Sequence, residues 1–348
     1  MNKITDNKKL ISIVVPVFNE EDNIHELYRR LKKVMIEHDY LYEVIFVDDG
    51  SEDKSLYLLT EMSRTDNRVK FISFSRNFGH QIAITAGMEY TLGDAVIVMD
   101  ADLQHPPEVI PQMIAKWEEG FEIVSTIRED ATGIGFFKKL TAFVFYKLIN
   151  RISDTDIQAN SPDFRLLDRR VINALKSMKE RGRFVRGLVG WVGFNQIFIK
   201  FVADERYAGT TKYSLKKMFK FAFDGITAFS SFPLRISIHL GIAATVIPLP
   251  YAIYAIYIRL FTDIAAPGWA SILVAIVFLG GVQLITIGII GEYIARIYDE
   301  VKGRPVYIVK ETAGFEDNLS KGLMNQPYTS EGITTILDND EKGYNKCG

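Results

Sequence analysis

The chain has 348 residues, 48% hydrophobic and 24% charged, with a formal net charge of −2. That is enough chain for one large domain or two smaller ones, and the near-neutral balance gives no global basic field for a nucleic-acid partner. The single cysteine, Cys347, excludes an intramolecular disulfide and any cysteine-based zinc site, and the polar start MNKITDNKKL does not read as a secretory signal.

ISIVVPVF (11–18) is rich in β-branched residues and predicts a buried strand. NEEDNIHELYRRLKKVMIEH predicts a helix with Asn19 or an acid as its cap and an apolar stripe of Ile24, Leu27, Leu31 and Val34. YEVIFVDDGS (42–51) is a second strand, and SEDKSLYLLTEMSRTD a second helix with a capping-box-like start. VKFISFS (69–75), HQIAITAGMEYTL and DAVIVMDAD continue the alternation as strand, helix and strand. This rhythm predicts a doubly wound, mostly parallel α/β sheet. Ligands of such sheets bind outside the carboxyl ends of the strands. Asn19 and Glu20, Asp48 and Asp49, Arg76, and Asp100 and Asp102 fall at those ends.

After residue 110 the rhythm weakens. PPEVIPQMIAKWEEG predicts a helix, with Pro106 and Pro107 near its start, and EIVSTIRE a strand. Two segments, 135–153 and 214–232, combine lysines with aromatic residues at amphipathic spacing. Such helices lie well at a membrane interface, and core packing is the plainer alternative. The last 38 residues or so are polar and predict a mobile tail.

From about residue 234 the chain becomes membrane-like. ISIHLGIAATVIPLPYAIYAIYI (236–258) carries no Asp, Glu, Lys or Arg, and WASILVAIVFLGGVQLITIGII (269–290) carries no charge at all. Each exceeds the roughly 20 residues that span about 30 Å of hydrocarbon. Together they predict a two-helix transmembrane hairpin, 234–261 and 268–293, with a kink at Pro248 and Pro250. Arg235 before it and Arg296, Lys302 and Arg304 after it put both flanks in the cytoplasm by the positive-inside rule. The predicted layout is a catalytic domain over 1–213, an interfacial helix over 214–233, the hairpin, and a cytoplasmic segment over 294–348.

Six segments together carry a family resemblance: VVPVFNEEDNI (14–24), VDDGS (47–51), SRNFGH (75–80), MDADLQHPPE (99–108), DFRLLDR (163–169) and RYAGTTKYSL (206–215). They resemble the inverting GT-A-type glycosyltransferases. With the hairpin, the chain is similar to bacterial polyprenyl-phosphate glycosyltransferases of the bactoprenol glucosyltransferase type. Dolichol-phosphate mannose synthases are a more distant likeness. The resemblance implies a GT-A-type fold that moves a hexose, glucose by default, from a UDP-sugar to undecaprenyl phosphate. It also implies the bacterial inner membrane as the location and allows a homotetramer.

Site roles follow from that resemblance and from charge. Two acids at a strand end need a cation to stay ionised together, and a hard Mg²⁺ or Mn²⁺ takes oxygen ligands. Asp100 and Asp102, at i and i+2 of an extended strand, can face one ion, with the Gln104 amide as a further ligand. A turn with two solvated acids is the alternative. His105 reads as a helix-entry residue, with a metal ligand as the alternative. The resemblance places Pro16, Asn19, Glu20, Asp49, Ser75, Arg76 and Gly79 along the nucleotide, with Asp48 either there or capping its strand. Arg128 either reaches a phosphate or pairs with Glu129 or Asp130. Asp163 is either a base, an acceptor-positioning group, or the ion-pair partner of Arg165 or Arg169. Arg206, Thr211, Lys212, Tyr213 and Ser214 are expected to hold the lipid phosphate, with a basic membrane-facing loop attracted to anionic lipid as the alternative, and Arg186 and Trp191 to stand near the acceptor.

Two other readings compete. A processive polysaccharide synthase would carry a Gln-x-x-Arg-Trp motif and more spans, and the sequence has neither. A catalytically inactive membrane scaffold would not need acids at every strand end. The sugar is not chosen by the sequence: galactose, an N-acetylated sugar or a modified arabinose stand beside glucose.

Overall fold

The computed structural model describes residues 8–38, 40–129, 161–178, 180–202, 232–247, 249–261 and 268–315. The chain divides into two compact units. The first comprises Met1–Thr141, Ile157–Thr211 and Gly303–Gly348; the second comprises Ala142–Asp156 and Lys212–Lys302.

The first unit is built on an eight-stranded sheet. Its elements in chain order are β1 (Leu10–Val17), α1 (Ile24–Glu37), β2 (Leu41–Asp48), α2 (Ser55–Thr65), β3 (Val69–Phe74), α3 (His80–Tyr90), β4 (Ala95–Val98) and α4 (Ile110–Glu118). β5 (Ile123–Glu129), β6 (Arg165–Asp168), α5 (Arg169–Ser177), α6 (Val185–Trp191) and β7 (Gln196–Val202) follow, and β8 (Val309–Ala313) comes last. The strand order is β7-β5-β6-β4-β1-β2-β3-β8. β1, β2, β3 and β4 are parallel, as the alternation predicts, while β6 runs antiparallel to β4 and β5, and β8 antiparallel to β3.

Central strands with both faces covered need apolar residues on both faces, which is why β1 and β2 read as continuous runs rather than alternations. Ile13, Val14, Val15, Val44, Ile45, Phe46 and Val47 are all fully buried. The α1 stripe of Ile24, Leu27, Leu31 and Val34 buries as its spacing predicts. α3 approaches β1 so closely that a Cβ on Gly87 would stand 2.2 Å from a Val14 methyl carbon.

Several boundaries differ from the sequence expectation. α1 begins at Ile24 rather than beside Asn19, and neither α1 nor α2 has a side-chain cap. The Ser51 hydroxyl instead accepts the Asn19 N–H at 3.0 Å, and Asn19 Oδ1 accepts the Glu52 N–H at 2.8 Å. The capping groups thus tie the first two strand-end loops to each other. β4 stops at Val98 instead of running through Asp102. β6, β7 and β8 have no counterpart in the rhythm read from sequence. β8 also takes in the first residues of the predicted tail; residues 316–348 lie outside the described ones.

The second unit holds α7 (Phe232–Val246), α8 (Leu249–Phe261) and α9 (Trp269–Val301). α7 packs against α9. α9 contains Val274–Val301, a 28-residue stretch whose most apolar 18-residue window has a mean hydropathy of 2.3 and is not buried at all. Among the described residues it is the one helix long and apolar enough to cross a membrane. The first predicted span, 234–261, is not a single helix. It breaks between Val246 and Leu249 into pieces of 15 and 13 residues, each short of a span. Pro248 and Pro250 explain the break, since neither has an N–H to give to the preceding turn. The predicted interfacial segments 135–153 and 214–231 lie outside the described residues.

Candidate active site

The site is assembled at the carboxyl ends of β1 to β4, where the loops after each strand meet. β1 ends in a loop that turns through Asn19, whose φ is +57°. Pro16 lies beyond the last β1–β4 pair, Val14 with Val98, so no ladder to β4 is lost there. Glu20 follows, with its carboxylate accepting from Asn23 Nδ2 at 2.6 Å and its N–H donating to Ser55 Oγ at 3.0 Å. Burial raises the Glu20 carboxyl above its usual range; the Asn23 bond opposes this, and the charges of Asp102 and Asp100 add to it. The acids after β1 and β4 therefore feel one another.

Asp48 and Asp49 end β2 and are both buried. Asp48 accepts from the Ser51 N–H at 3.0 Å and the Ser73 hydroxyl at 2.7 Å, the strand-end capping role. Asp49 accepts the Phe78 N–H at 2.6 Å and the Gly79 N–H at 2.9 Å, which fastens the β3–α3 loop. Burial raises its carboxyl despite those two bonds. The same loop packs on Gly50, where a Cβ would stand 2.5 Å from the Arg76 carbonyl carbon. Ser75 and Arg76 are exposed on this loop, with the Arg76 guanidinium 4.2 Å from the Phe78 ring centre. Gly79 caps α3 at φ +108°, a conformation that only glycine adopts without strain.

The Asp100–Gln104 stretch is a bend, with Leu103 at φ +62°. The shared face of an extended strand therefore does not bring Asp100 and Asp102 together. The buried His105 does the organising: its Nδ1 accepts the Asp100 N–H at 3.0 Å, and its ring stacks on Phe164 at 5.0 Å. Asp102 Oδ1 accepts the Gln104 N–H at 3.1 Å. Asp100 Oδ1 is buried and accepts no hydrogen bond, although His80 Nε2 stands 3.3 Å away. A buried carboxylate oxygen without a donor is costly unless a ligand completes it. Hard oxygen donors at Asp100, Asp102 and Gln104 fit a Mg²⁺- or Mn²⁺-sized ion in chemistry. Among the described residues, no three His, Cys, Asp or Glu side chains stand at metal-holding distance. The chain thus offers part of a coordination shell that substrate oxygens would complete.

β6 brings the second half of the site. Because it is antiparallel to β4, its first residue, Arg165, pairs with Val98, the last of β4. Asp163 therefore arrives beside the acid loop. It is 3% exposed and accepts from Arg165 Nη2 at 3.1 Å, Arg186 Nε at 3.1 Å and Gln81 Nε2 at 2.9 Å. Burial acts to raise its carboxyl, but the charges of Arg186 and Arg165 outweigh that and hold it well below the usual carboxylate range. Arg165 is pushed down to about 10 by burial, so it remains charged at neutral pH. The predicted Asp163–Arg169 pair does not form; Arg169 bonds to the Gly93 carbonyl.

Sequence reasoning gave no role to two members of this cluster, Gln81 and His80. Gln81 joins Asp163 to α6 by also accepting the Val185 N–H at 3.0 Å. His80 stands between Asp100 and Asp163, 3.8 Å from the latter. Arg165 entered only as a possible partner of Asp163. His80 lay in a quoted motif, but nothing local marks Gln81. Arg128 is exposed toward the end of β5, and its neighbour Glu129 pairs with Lys200 at 3.6 Å. Trp191 is 63% exposed. Arg206, Thr211, Lys212, Tyr213 and Ser214 lie outside the described residues.

A mostly parallel sheet with acids gathered at its strand ends is an arrangement suited to group transfer from a charged donor. Residues 12–176 match the family model for glycosyl transferase family 2. The chain is 53% identical to the uncharacterized glycosyltransferase YkcC of Bacillus subtilis (strain 168), over 88% of this chain and 95% of that one. It is 43% identical to the bactoprenol glucosyl transferase of Shigella phage SfII, over 87% of this chain and 98% of that one. A solved glucosyl-3-phosphoglycerate synthase from Mycobacterium tuberculosis, in complex with Mn²⁺, UDP and glucosyl-3-phosphoglycerate, is more remote. It has a TM-score of 0.43 at 18% identity over 63% of this chain and 78% of that one. The chain belongs to glycosyl transferase family 2, and it is a glycosyltransferase.

Proposed function

We propose that this enzyme transfers a hexose, glucose by default, from a UDP-sugar to undecaprenyl phosphate at the cytoplasmic face of the bacterial membrane, with inversion. The observation that carries the chemistry is the buried, donorless Asp100 Oδ1, with the charges of both Asp100 and Asp102 acting on Glu20. The lipid acceptor is supported by the named activity of the 43%-identical phage relative and by the apolar α9.

Asp100, Asp102 and the Gln104 amide would hold a Mg²⁺ or Mn²⁺ ion against the donor diphosphate. When bound, such an ion would supply positive charge to a UDP leaving group. Asn19, Glu20, Ser75, Arg76 and the loop fastened by Asp49 line the nucleotide side. A lipid phosphate oxygen attacks the anomeric carbon from the face opposite the diphosphate. The bond from that carbon to the diphosphate oxygen breaks, and UDP leaves with the electron pair. An alkyl phosphate has a second pKa of about 6, so the nucleophile is already ionised at neutral pH and no proton has to be taken from it. This agrees with the state of Asp163, which the charges of Arg186 and Arg165, outweighing its burial, keep too weakly basic to serve as a base near neutral pH. Asp163 is instead a fixed charge that orients Arg165 and Arg186 toward the acceptor phosphate. Arg206, Thr211, Lys212, Tyr213 and Ser214 complete the lipid-phosphate contacts in this reading, and Arg128 reaches the donor side.

A donor panel with purified enzyme, undecaprenyl phosphate and Mn²⁺ tests the whole. Transfer from one UDP-hexose that stops on chelation is expected; no transfer from any common donor would sink the reading. The rate of the Asp163→Asn enzyme should be lower at every pH between 5 and 8. A pH limb present in the wild type and absent from that variant would restore Asp163 as a base.

A further inference from the structure

The segment before β8 lies against the loop between β3 and α3. β8 pairs antiparallel to β3 through Phe71–Ala313, Ile72–Thr312 and Ser73–Glu311, with a register shift between Ser73 and Phe74. One residue further on, the Ser75 N–H donates to the Ile308 carbonyl at 2.9 Å. Tyr307 stacks on Phe74 at 5.0 Å with an interplanar angle of 22°. Its hydroxyl donates to Glu89 Oε2 on α3 at 2.5 Å. Phe74 meets Phe78 edge-on at 5.7 Å, and Phe78 carries the Arg76 guanidinium over its face at 4.2 Å. From the other side, the Asp49 carboxylate takes the Phe78 and Gly79 N–H groups.

Loop 75–79 is therefore gripped twice. The VDDGS turn holds its backbone, and Tyr307 with Ile308 holds its aromatic and Ser75 side. The turn is local to the parallel sheet. The second grip comes from more than 200 residues later, as the Tyr307–Glu89 separation of 218 positions records. Arg76 has no carboxylate partner among the contacts of the described residues; its place is set by the ring beneath it and by its bond to the Asn77 carbonyl at 3.2 Å. A stacked ring fixes a guanidinium plane without neutralising it, which leaves the charge available to an anion.

We infer that Tyr307 is a positioning residue for the donor loop: through Phe74 and Phe78 its ring sets where the Arg76 guanidinium stands. The inference rests on the reading that Ser75–Gly79 face the nucleotide sugar, and it assigns to the C-terminal segment a share of donor affinity. A merely structural Tyr307 would lower stability and all kinetic constants together. A positioning Tyr307 acts on donor binding alone.

The test uses the full chain in detergent, with UDP-sugar and undecaprenyl phosphate varied separately and UDP affinity measured by calorimetry. Tyr307→Ala should raise the donor KM and the UDP Kd about tenfold, the scale of one lost aromatic pair with its alignment. The lipid KM and kcat should stay within about twofold, and Tyr307→Phe, which keeps the ring, should restore donor KM to within about twofold. Phe78→Leu breaks the same relay without touching Tyr307 and should raise the donor KM likewise, so the test survives if Tyr307→Ala does not fold. Arg76→Ala separates the two levels of the argument. If Arg76→Ala raises donor KM and neither Tyr307→Ala nor Phe78→Leu does, the Tyr307 inference is overturned and the donor-loop reading stands. If Arg76→Ala leaves donor KM unchanged, the donor-loop reading itself falls. Equal losses in kcat, donor KM and lipid KM for Tyr307→Ala would also overturn the inference.

Discussion

Both ends of the sheet bury acids, but among the described residues only the carboxyl end leaves a buried carboxylate oxygen without a donor. Toward the amino ends of the strands, Glu43 accepts from Lys70 Nζ at 2.7 Å and the Leu92 N–H at 2.9 Å, and from the Ser12 hydroxyl. Asp66, just before β3, accepts from Arg68 at 2.8 Å, Lys32 at 3.0 Å and the Tyr28 hydroxyl at 2.7 Å. At the carboxyl ends, Asp100 keeps a buried oxygen with no donor, and Glu20 is raised by burial and by two further acids. The chain can neutralise buried carboxylates where it needs only stability. Where it does not, the missing charge is one a ligand is expected to bring. Asp163 marks the border between the two regimes: it sits beside the acid loop yet is fully paired.

The comparison can be broken at several points. The largest effect is expected from Asp102→Ala, which should cut transfer by about a thousandfold or more, the scale of a lost metal contribution at a leaving group. Its thermal unfolding midpoint should match the wild type within error. Near-normal rates at saturating Mn²⁺ would refute the metal assignment. Asp66→Ala should do the opposite. It should cost about 2 kcal/mol of stability, discounted for its half-exposed cations, and leave kcat/KM unchanged.

The pH dependence of that second difference sharpens it. Arg68, chiefly, holds the Asp66 carboxyl below its ordinary 3.8. A depressed carboxyl contributes stability above its unfolded pKa and loses it as pH falls through the folded value. The gap between wild type and Asp66→Ala should stay constant from pH 7 to about 5 and shrink in stronger acid. Glu20 has the reverse sign. Its folded pKa lies above 4.5, so its contribution is present below that value and lost as pH rises through the folded one. Without divalent ions, Glu20→Gln should therefore melt slightly above the wild type at neutral pH, by no more than about 2 °C. Adding Mn²⁺ should remove the difference. A gap indifferent to Mn²⁺ would mean that the two ends of the sheet are not treated differently after all.

Much of the first 100 residues was legible because its signals are local. The strand runs of β1 to β3, the α1 stripe and the strand-end acids all lie within single segments. Legibility failed where a side chain has two possible uses. Asp48 and Asp49 look alike in VDDGS, and only the fold shows that one caps its strand and the other fastens the Phe78–Gly79 backbone. Asp100 and Asp102 reached the site by a bend hydrogen-bonded to His105 rather than by strand alternation, since Leu103 at φ +62° leaves no strand to alternate. The apolar run at 236–258 has the composition of a span, but Pro248 and Pro250 weigh more on the helix than composition does.

By itself the sequence determined the alternating α/β rhythm, the acids at its strand ends and the apolar C-terminal helix. Each of these is a property of neighbouring residues, set by side-chain periodicity and backbone preference. Only the tertiary structure decided that β6 enters antiparallel and delivers Asp163 and Arg165 to the end of β4. It also decided that β8 returns to β3 and carries Tyr307 to Phe74. Those pairings join residues far apart in the chain, and hydrogen bonds between distant strands leave no mark on the local pattern of either one.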